Sequence, residues 1–142
     1  MEYPARFEPA KEGGFVVTIR DFGWGVTQGD TEAEAREMAV ALLQTLVQEH
    51  IDNGRELPRP RKPPNRKYRM IRLSTLQTAK AELYREFLAA GIRKAELARR
   101  LGVPKTSVNR LFNLRHHSRL DQIDAAFKAL GKEINIAVRD AA

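Results

Sequence analysis

The sequence predicts an α+β protein in two parts: a β-β-β-α-β domain followed by an all-α domain. Three observations predict it. Up to about residue 29, short β-branched and aromatic runs are separated by glycine turns. Residues 58–66 read PRPRKPPNR, four prolines and four cations, a semi-stiff extended segment. From Leu76 onward, apolar residues mostly recur at the three- and four-residue spacing of helices.

The elements follow in order. Tyr3 to Phe7 alternates weakly and suits a first strand, and Glu12-Gly13-Gly14 is a turn signal. Phe15-Val16-Val17-Thr18-Ile19 is a second strand. Gly23 to Thr27 forms a short third strand beside Trp24, and Gly29-Asp30 ends the sheet. Thr31 with Glu34 fits a capping box that opens a helix, with Asp30, Glu32 and Glu34 at its positive end. That helix runs to about Asp52, stopped by Asn53-Gly54, and its expected buried stripe is Ala35, Met38, Ala39, Leu42 and Leu46. Tyr68 to Leu73 alternates as a strand returning to the first sheet, which makes the proline-rich segment a loop inside a first domain of residues 1–73.

Residues 74–142 form the second domain. Leu76 to Ala89 is a helix with Leu83, Phe87 and Leu88 inward, stopped by Gly91. Arg93 to Asn113 reads as two short helices about a tight turn. Leu97, Ala98 and Leu101 face inward on the first of them. Gly102 sits where the turn needs a left-handed backbone, Val103 plugs the turn, and Pro104 starts the next helix. In the second, Val108, Leu111 and Phe112 fall on one face, while Thr106, Asn109, Arg110 and Asn113 fall on the other, with Lys105 at the start. An apolar back and a front of Lys, Thr, Asn and Arg suit a helix-turn-helix whose second helix enters a DNA major groove. Leu120 to Leu130 is a further helix carrying Ile123, Phe127 and Leu130 inward. Ile134, Ile136 and Val138 alternate as a final strand suited to pairing with a second copy.

The chain has 142 residues, 42% of them hydrophobic, a core that is thin when divided between two domains. The net charge of +7 is split: residues 1–58 carry −6 and residues 59–142 carry +13. A basic half favours nucleic acid through phosphate contacts, and an acidic half suits a basic protein partner. There is no cysteine, hence no disulfide frame, thiolate metal site or cysteine nucleophile. No signal peptide or membrane span is visible, so the expected location is cytoplasmic, without membrane attachment. No catalytic set, cofactor motif or metal site stands out. His50 reads as a surface histidine near a helix end. The adjacent pair His116-His117 does not converge on one metal and, with Arg115 and Arg119, suits phosphate contact better. Gly13-Gly14 lacks the rest of a phosphate loop, and Asp21 is the one carboxylate directly after a strand.

Several segments together resemble the HicB antitoxin family, the antidote half of a bacterial or archaeal toxin–antitoxin pair, in its helix-turn-helix subtype. They are Tyr3-Pro4, Glu12-Gly13-Gly14-Phe15, Thr27-Gln28-Gly29-Asp30-Thr31 and Glu34-Ala35 in the first domain. In the second they are Glu96-Leu97-Ala98-Arg99-Arg100, Arg110-Leu111-Phe112-Asn113-Leu114 and Ala129-Leu130-Gly131-Lys132-Glu133. The resemblance implies a partial ribonuclease-H-like first domain without catalytic carboxylates, which binds and blocks a HicA-type toxin, a small basic mRNA-cleaving ribonuclease. It implies a second domain that dimerises, giving a homodimer or homotetramer, and binds double-stranded operator DNA as an autorepressor. The chain departs from the family at Asp21-Phe22-Gly23-Trp24-Gly25, where members often carry a proline-containing loop.

The expected DNA contacts are Lys105, Thr106, Ser107, Asn109, Arg110, Asn113 and Arg115, and the expected toxin contacts are Asp21, Trp24, Asp30 and Glu32. Trp24 reads equally well as an exposed anchor or as core filler. The alternative function is a stand-alone helix-turn-helix repressor whose first domain senses a small ligand, which requires an apolar pocket with convergent polar groups.

Overall fold

A computed structural model describes residues 1–141. The chain divides into two compact units, Met1–Thr78 and a second from Ala79 onward. The first is a four-stranded antiparallel sheet backed by one long helix. The strands are β1 (Glu2–Pro9), β2 (Phe15–Thr18), β3 (Val26–Gly29) and β4 (Tyr68–Arg72), in the order β3-β2-β1-β4. The helix α1 (Glu32–Asp52) lies between β3 and β4 in sequence. The period of two places Tyr3, Ala5 and Phe7 of β1, Val17 of β2 and Ile71 of β4 in the core. Tyr3 stands opposite Ile71, and Phe7 opposite Val17.

The helix start forms with Thr31 as its cap, as the sequence predicts, while the reciprocal Glu34 bond reaches one residue further back, to Asp30 rather than Thr31. The Glu34 backbone N–H donates to Thr31 Oγ1 at 3.1 Å, while the Glu34 carboxylate accepts from the backbone of Asp30 at 3.1 Å. Two glycines make the junction of sheet and helix possible. A Cβ on Gly29 would stand 2.4 Å from the backbone nitrogen of Ala35, and one on Gly14 would stand 2.3 Å from the carbonyl oxygen of Gly29. The Gly13-Gly14 turn, the end of β3 and the first turn of α1 therefore touch backbone to backbone, with no room for any side chain.

Several expectations for this unit are corrected. The third strand begins at Val26 rather than Gly23, because residues Arg20–Phe22 form one 3-10 turn that drives Phe22 inward. Its ring lies 4.9 Å from Tyr3 and 5.1 Å from His50. His50 is consequently buried, its Nδ1 3.0 Å from the Leu46 carbonyl oxygen, and is not a surface residue. The buried stripe of α1 is Ala35, Ala39, Leu43, Leu46, Val47, His50 and Ile51. It is rotated from the expected one, leaving Leu42 half-buried and Met38 exposed.

The proline-rich segment does not hang free. The Tyr3 hydroxyl donates to the Pro58 carbonyl at 2.7 Å, and Arg61 Nε donates to Asp21 Oδ1 at 2.7 Å. Arg61 Nη2 also reaches the Arg20 carbonyl, while Arg20 Nη2 reaches the Lys62 carbonyl, each at 3.1 Å. This clasp fixes the approach to β4, which pairs with β1 from Glu2↔Arg72 to Arg6↔Tyr68. Because the strap and β4 belong to the sheet, the seven cations at 59–72 count with the first unit. Residues 1–78 then carry a net +1 and residues 79–142 a net +6. The acidic half expected from the sequence is thus a set of acidic surfaces within a nearly neutral unit.

The second unit is helical: the greater part of α2 (Thr75–Ala90), then α3 (Lys94–Leu101), α4 (Lys105–Leu111) and α5 (Leu120–Ala129). Phe112 is its centre, 2% exposed, with its ring 5.0 Å from Phe87 and 5.8 Å from Tyr84. Leu97, Ala98, Val108, Leu111, Ile123 and Phe127 complete the core. On α2 the buried positions are in phase with Leu83, Tyr84 and Phe87, so Leu88, expected inside, is half-buried. Leu101 and Leu130 are likewise half-buried, and Val103 is exposed rather than plugging the turn. Residues 134–138 form no strand within the single chain; Ile136 and Val138 are exposed there.

Candidate nucleic-acid and partner interfaces

The turn between α3 and α4 is closed by backbone geometry. Gly102 caps α3 with φ of 65°, and the Val103 N–H donates to the Ala98 carbonyl at 3.0 Å. On α3, Glu96 accepts from Arg99 Nε at 2.8 Å and from Arg100 Nε at 3.1 Å. Hydrogen bonds from these two guanidiniums hold its carboxyl at a pKa of about 2. Arg100 also donates to the Ala129 carbonyl at 3.0 Å, joining α3 to the end of α5. Both guanidiniums are thus paired with Glu96 within the unit.

On α4, Val108 and Leu111 are buried, while Lys105, Thr106, Asn109 and Arg110 are exposed. Asn113 and Arg115 are also exposed, the Asn113 side-chain oxygen accepting from the Arg115 backbone at 3.0 Å. Ser107 is half-buried and lines a cavity of about 200 Å³ behind the helix, together with Leu101, Val103, Arg110 and His116. Six of the seven expected DNA contacts therefore share an exposed surface, and Ser107 sits at its margin. The exposed set combines donors, acceptors and two guanidiniums, the chemistry that reads base edges and neutralises phosphates.

Sequence reasoning missed the residue that holds this surface from behind. Lys80, on α2, is fully buried. Its ammonium donates to the carbonyls of Arg110 and Asn113, both at 2.8 Å, and to Ser118 Oγ at 2.9 Å. Ser118 Oγ lies 3.0 Å from His116 Nδ1. Burial lowers the Lys80 pKa to about 8, and burial also lowers that of His116, reinforced by the charges of Lys80, Arg110 and His117. The signal was present: Lys80 stands three, four and seven residues before Leu83, Tyr84 and Phe87, on the inner face.

The expected partner contacts of the first unit separate. Trp24 is 50% exposed, which decides against core filler, and Val26 beside it is 64% exposed. Asp30 is exposed. Glu32 is exposed but paired with Arg36 at 3.5 Å and Arg69 at 3.3 Å. Asp21 is a correction: its carboxylate is wholly enclosed by the Arg61 clasp and offers no free charge to a partner. Among the described residues no group of three metal-ligating side chains occurs, and no helix is long and apolar enough to cross a membrane.

A helix-turn-helix unit with an exposed polar reading face, joined to a separate sheet-and-helix unit, defines a DNA-binding regulator with a second functional part. Comparison with known proteins narrows this class. Residues 2–82 match the family described as HicB_like antitoxin of bacterial toxin-antitoxin system, and residues 82–136 match a helix-turn-helix family. The antitoxin HicB of Escherichia coli K12 is 38% identical over 138 residues, covering 97% of this chain and 99% of that protein. Antitoxin HicB 1 of Photorhabdus laumondii is 34% identical, covering 97% of this chain and 87% of its own length. Antitoxin HicB of Pseudomonas fluorescens is 35% identical over 113 residues, covering 80% of this chain and 77% of that protein. The chain belongs to the HicB antitoxin family.

Proposed function

We propose that this antitoxin neutralises a HicA-type mRNA-cleaving toxin through its first domain, residues 1–73, and represses its own operon through residues 74–142. The observation that carries the reading is the exposed face of Lys105, Thr106, Asn109 and Arg110 on a helix-turn-helix, in a chain whose other unit presents Trp24 and Val26 to solvent. Lys105, Thr106, Asn109 and Arg110 read bases or the phosphates beside them, with Asn113 and Arg115 extending the contact and Ser107 at its edge. Arginine pairs with guanine and asparagine with adenine, each good pair supplying about 1–3 kcal/mol of discrimination. Two copies reading a palindrome place their α4 helices roughly 34 Å apart. A homodimer or homotetramer supplies those copies, and the alternating segment Ile134-Ile136-Val138, exposed at Ile136 and Val138, supports strand pairing between them. The protein acts without catalysis, metal or cofactor, in the cytoplasm and at its operator.

The toxin surface runs from Trp24 to Glu32. Trp24 and Val26 supply apolar contact, while Asp30 and the partly neutralised Glu32 favour a basic partner. Because the unit is nearly neutral overall, this attraction is local and acts on selectivity more than on affinity. Two experiments test the reading. Arg110→Ala abolishes specific retention of the upstream DNA in a gel-shift assay without changing the melting curve; unchanged retention removes Arg110 from the interface. Production of the chain together with the product of the adjacent gene gives a copurifying complex and no growth arrest. Continued RNA cleavage by that product in the presence of this chain defeats the neutralisation reading.

A further inference from the structure

We propose that Lys80 is the positioning residue for DNA reading: its buried ammonium fixes the C-terminal end of α4 and thereby the aim of the reading face. The inference rests on the DNA-binding reading above. Its geometry is specific. The two carbonyls that Lys80 Nζ holds belong to Arg110 and Asn113, the residues whose side chains stand exposed on the reading surface. Arg110 and Asn113 are thus held by their backbones from inside while their side chains face out. The third donor reaches Ser118, so one atom ties together α4, the turn after it and the approach to α5.

The chemistry suits this position. The carbonyls at the end of a helix carry its negative end, and a cation there is favourable. Arg110 and Asn113 each accept one backbone N–H as well, from Asn113 at 3.2 Å and His116 at 3.1 Å, so the ammonium takes up their second lone pairs. Helix α4 is only seven residues long and has no side-chain cap at its start, so little else within it fixes its terminus. All three protons of the ammonium are engaged, and a neutral amine offers only two. With Lys80 donating to Ser118 Oγ, the Ser118 hydroxyl is free to donate to His116 Nδ1, which extends the chain of bonds to the segment after α4.

A purely space-filling role for Lys80 would influence stability but leave the folded protein's reading of DNA unchanged. The two roles separate by pH. Burial depresses the Lys80 pKa to about 8 from the ordinary 10.5, so the folded chain binds fewer protons than the unfolded chain between those values. The burial contribution to stability therefore rises with pH across that window. The hold on α4 moves the opposite way: as pH climbs through about 8 the charge is lost, and the charge-assisted bonds to the two carbonyls become weaker neutral ones. The charged and titratable groups around the site are Arg110 on α4 and His116 and His117 after it; burial and the neighbouring positive charges push the His116 pKa down, which favours its neutral form.

The test uses the full chain, a duplex spanning the DNA directly upstream of its coding sequence, and a scrambled duplex of equal composition. Discrimination is the ratio of the two affinities, measured at constant salt from pH 7 to 9 and read beside the melting temperature. In the unaltered chain, discrimination falls with rising pH while the melting temperature holds or increases. Lys80→Met lowers discrimination at pH 7 by about tenfold or more, leaves binding to the scrambled duplex intact, and gives a flat pH profile. A folded Lys80→Met variant with undiminished discrimination overturns the proposal. Where that variant fails to melt cooperatively, the unaltered chain decides: discrimination that stays flat from pH 7 to 9 overturns it as well. An unaltered chain that never distinguishes the two duplexes defeats the DNA-reading function itself, and the role of Lys80 falls with it.

Discussion

The two units of this antitoxin make small cores by opposite means. The first brings backbone against backbone: Gly14 on Gly29, and Gly29 on Ala35, at distances that exclude even a methyl group. Its polar clasp lies at the rim, where Arg61 closes over Asp21. The second packs large rings, Tyr84, Phe87 and Phe112, and places a full ammonium inside. The difference teaches where each unit tolerates change. Close backbone packing leaves no adjustable part, whereas rings and a long flexible lysine stem adjust locally and transmit small shifts to the surface they support.

Four expected outcomes break or sharpen that contrast, from the largest effect to the smallest. Gly29→Val forces two branched methyls toward the backbone of Ala35 and destabilises the first unit by more than about 3 kcal/mol. Amide exchange then loses protection across Met1–Thr78 while α3 to α5 keep theirs; simultaneous loss in both units would make them one cooperative body. Phe112→Ala empties the centre of the second unit and costs about 3–5 kcal/mol by urea titration, with the pattern of protection reversed. A cost below about 1 kcal/mol would show that Tyr84 and Phe87 collapse into the space.

Arg61→Ala leaves the enclosed Asp21 carboxylate without its guanidinium and costs about 1–3 kcal/mol, confined to the first unit. Asp21→Asn with Arg61→Ala recovers part of that loss, measured as a double-mutant cycle. The smallest effect is at α3. The Glu96 carboxyl is held down to about 2 by Arg99 and Arg100, so its contribution is fully present above the ordinary value of 4.5 and fades as pH falls through about 2. The α3 amide resonances hold their helical shifts to about pH 3 in the unaltered chain. Glu96→Gln removes that acid transition, and an early loss of helix near pH 4.5 would contradict the ion pairs.

Much of this was legible in the residues. The capping pair Thr31 and Glu34, the turn at Gly102, the apolar back of α4 and the return of β4 to the first sheet are all local or periodic signals. The family motifs also acquire a physical reason, since Gly14 and Gly29 belong to separate motifs that meet in space. What sequence order concealed was three-dimensional ownership. The charge boundary falls at Pro58, but the cations beyond it fold back onto the first sheet, so the acidic half disappears as a structural unit. Phe22 bends the chain into a turn that no alternation announces and draws His50 inside with it. Asp21, plausible as a free carboxylate after a strand, is answered by Arg61 forty positions later. Lys80 kept the period of a core residue while having the composition of a surface one.

The partnership of β1 with β4 carries a consequence for the timing of synthesis. The strand begun at Glu2 stays open along one edge until residues 68–72 have been made, so the first unit cannot close earlier. Once Thr78 has been added, every segment of that unit exists, and α3, α4 and α5 still lie ahead in the chain. Chain growth at about 5–20 residues per second is slow compared with the folding of a small domain. The sheet unit, complete in sequence by Thr78, can thus close before the later helices have packed together.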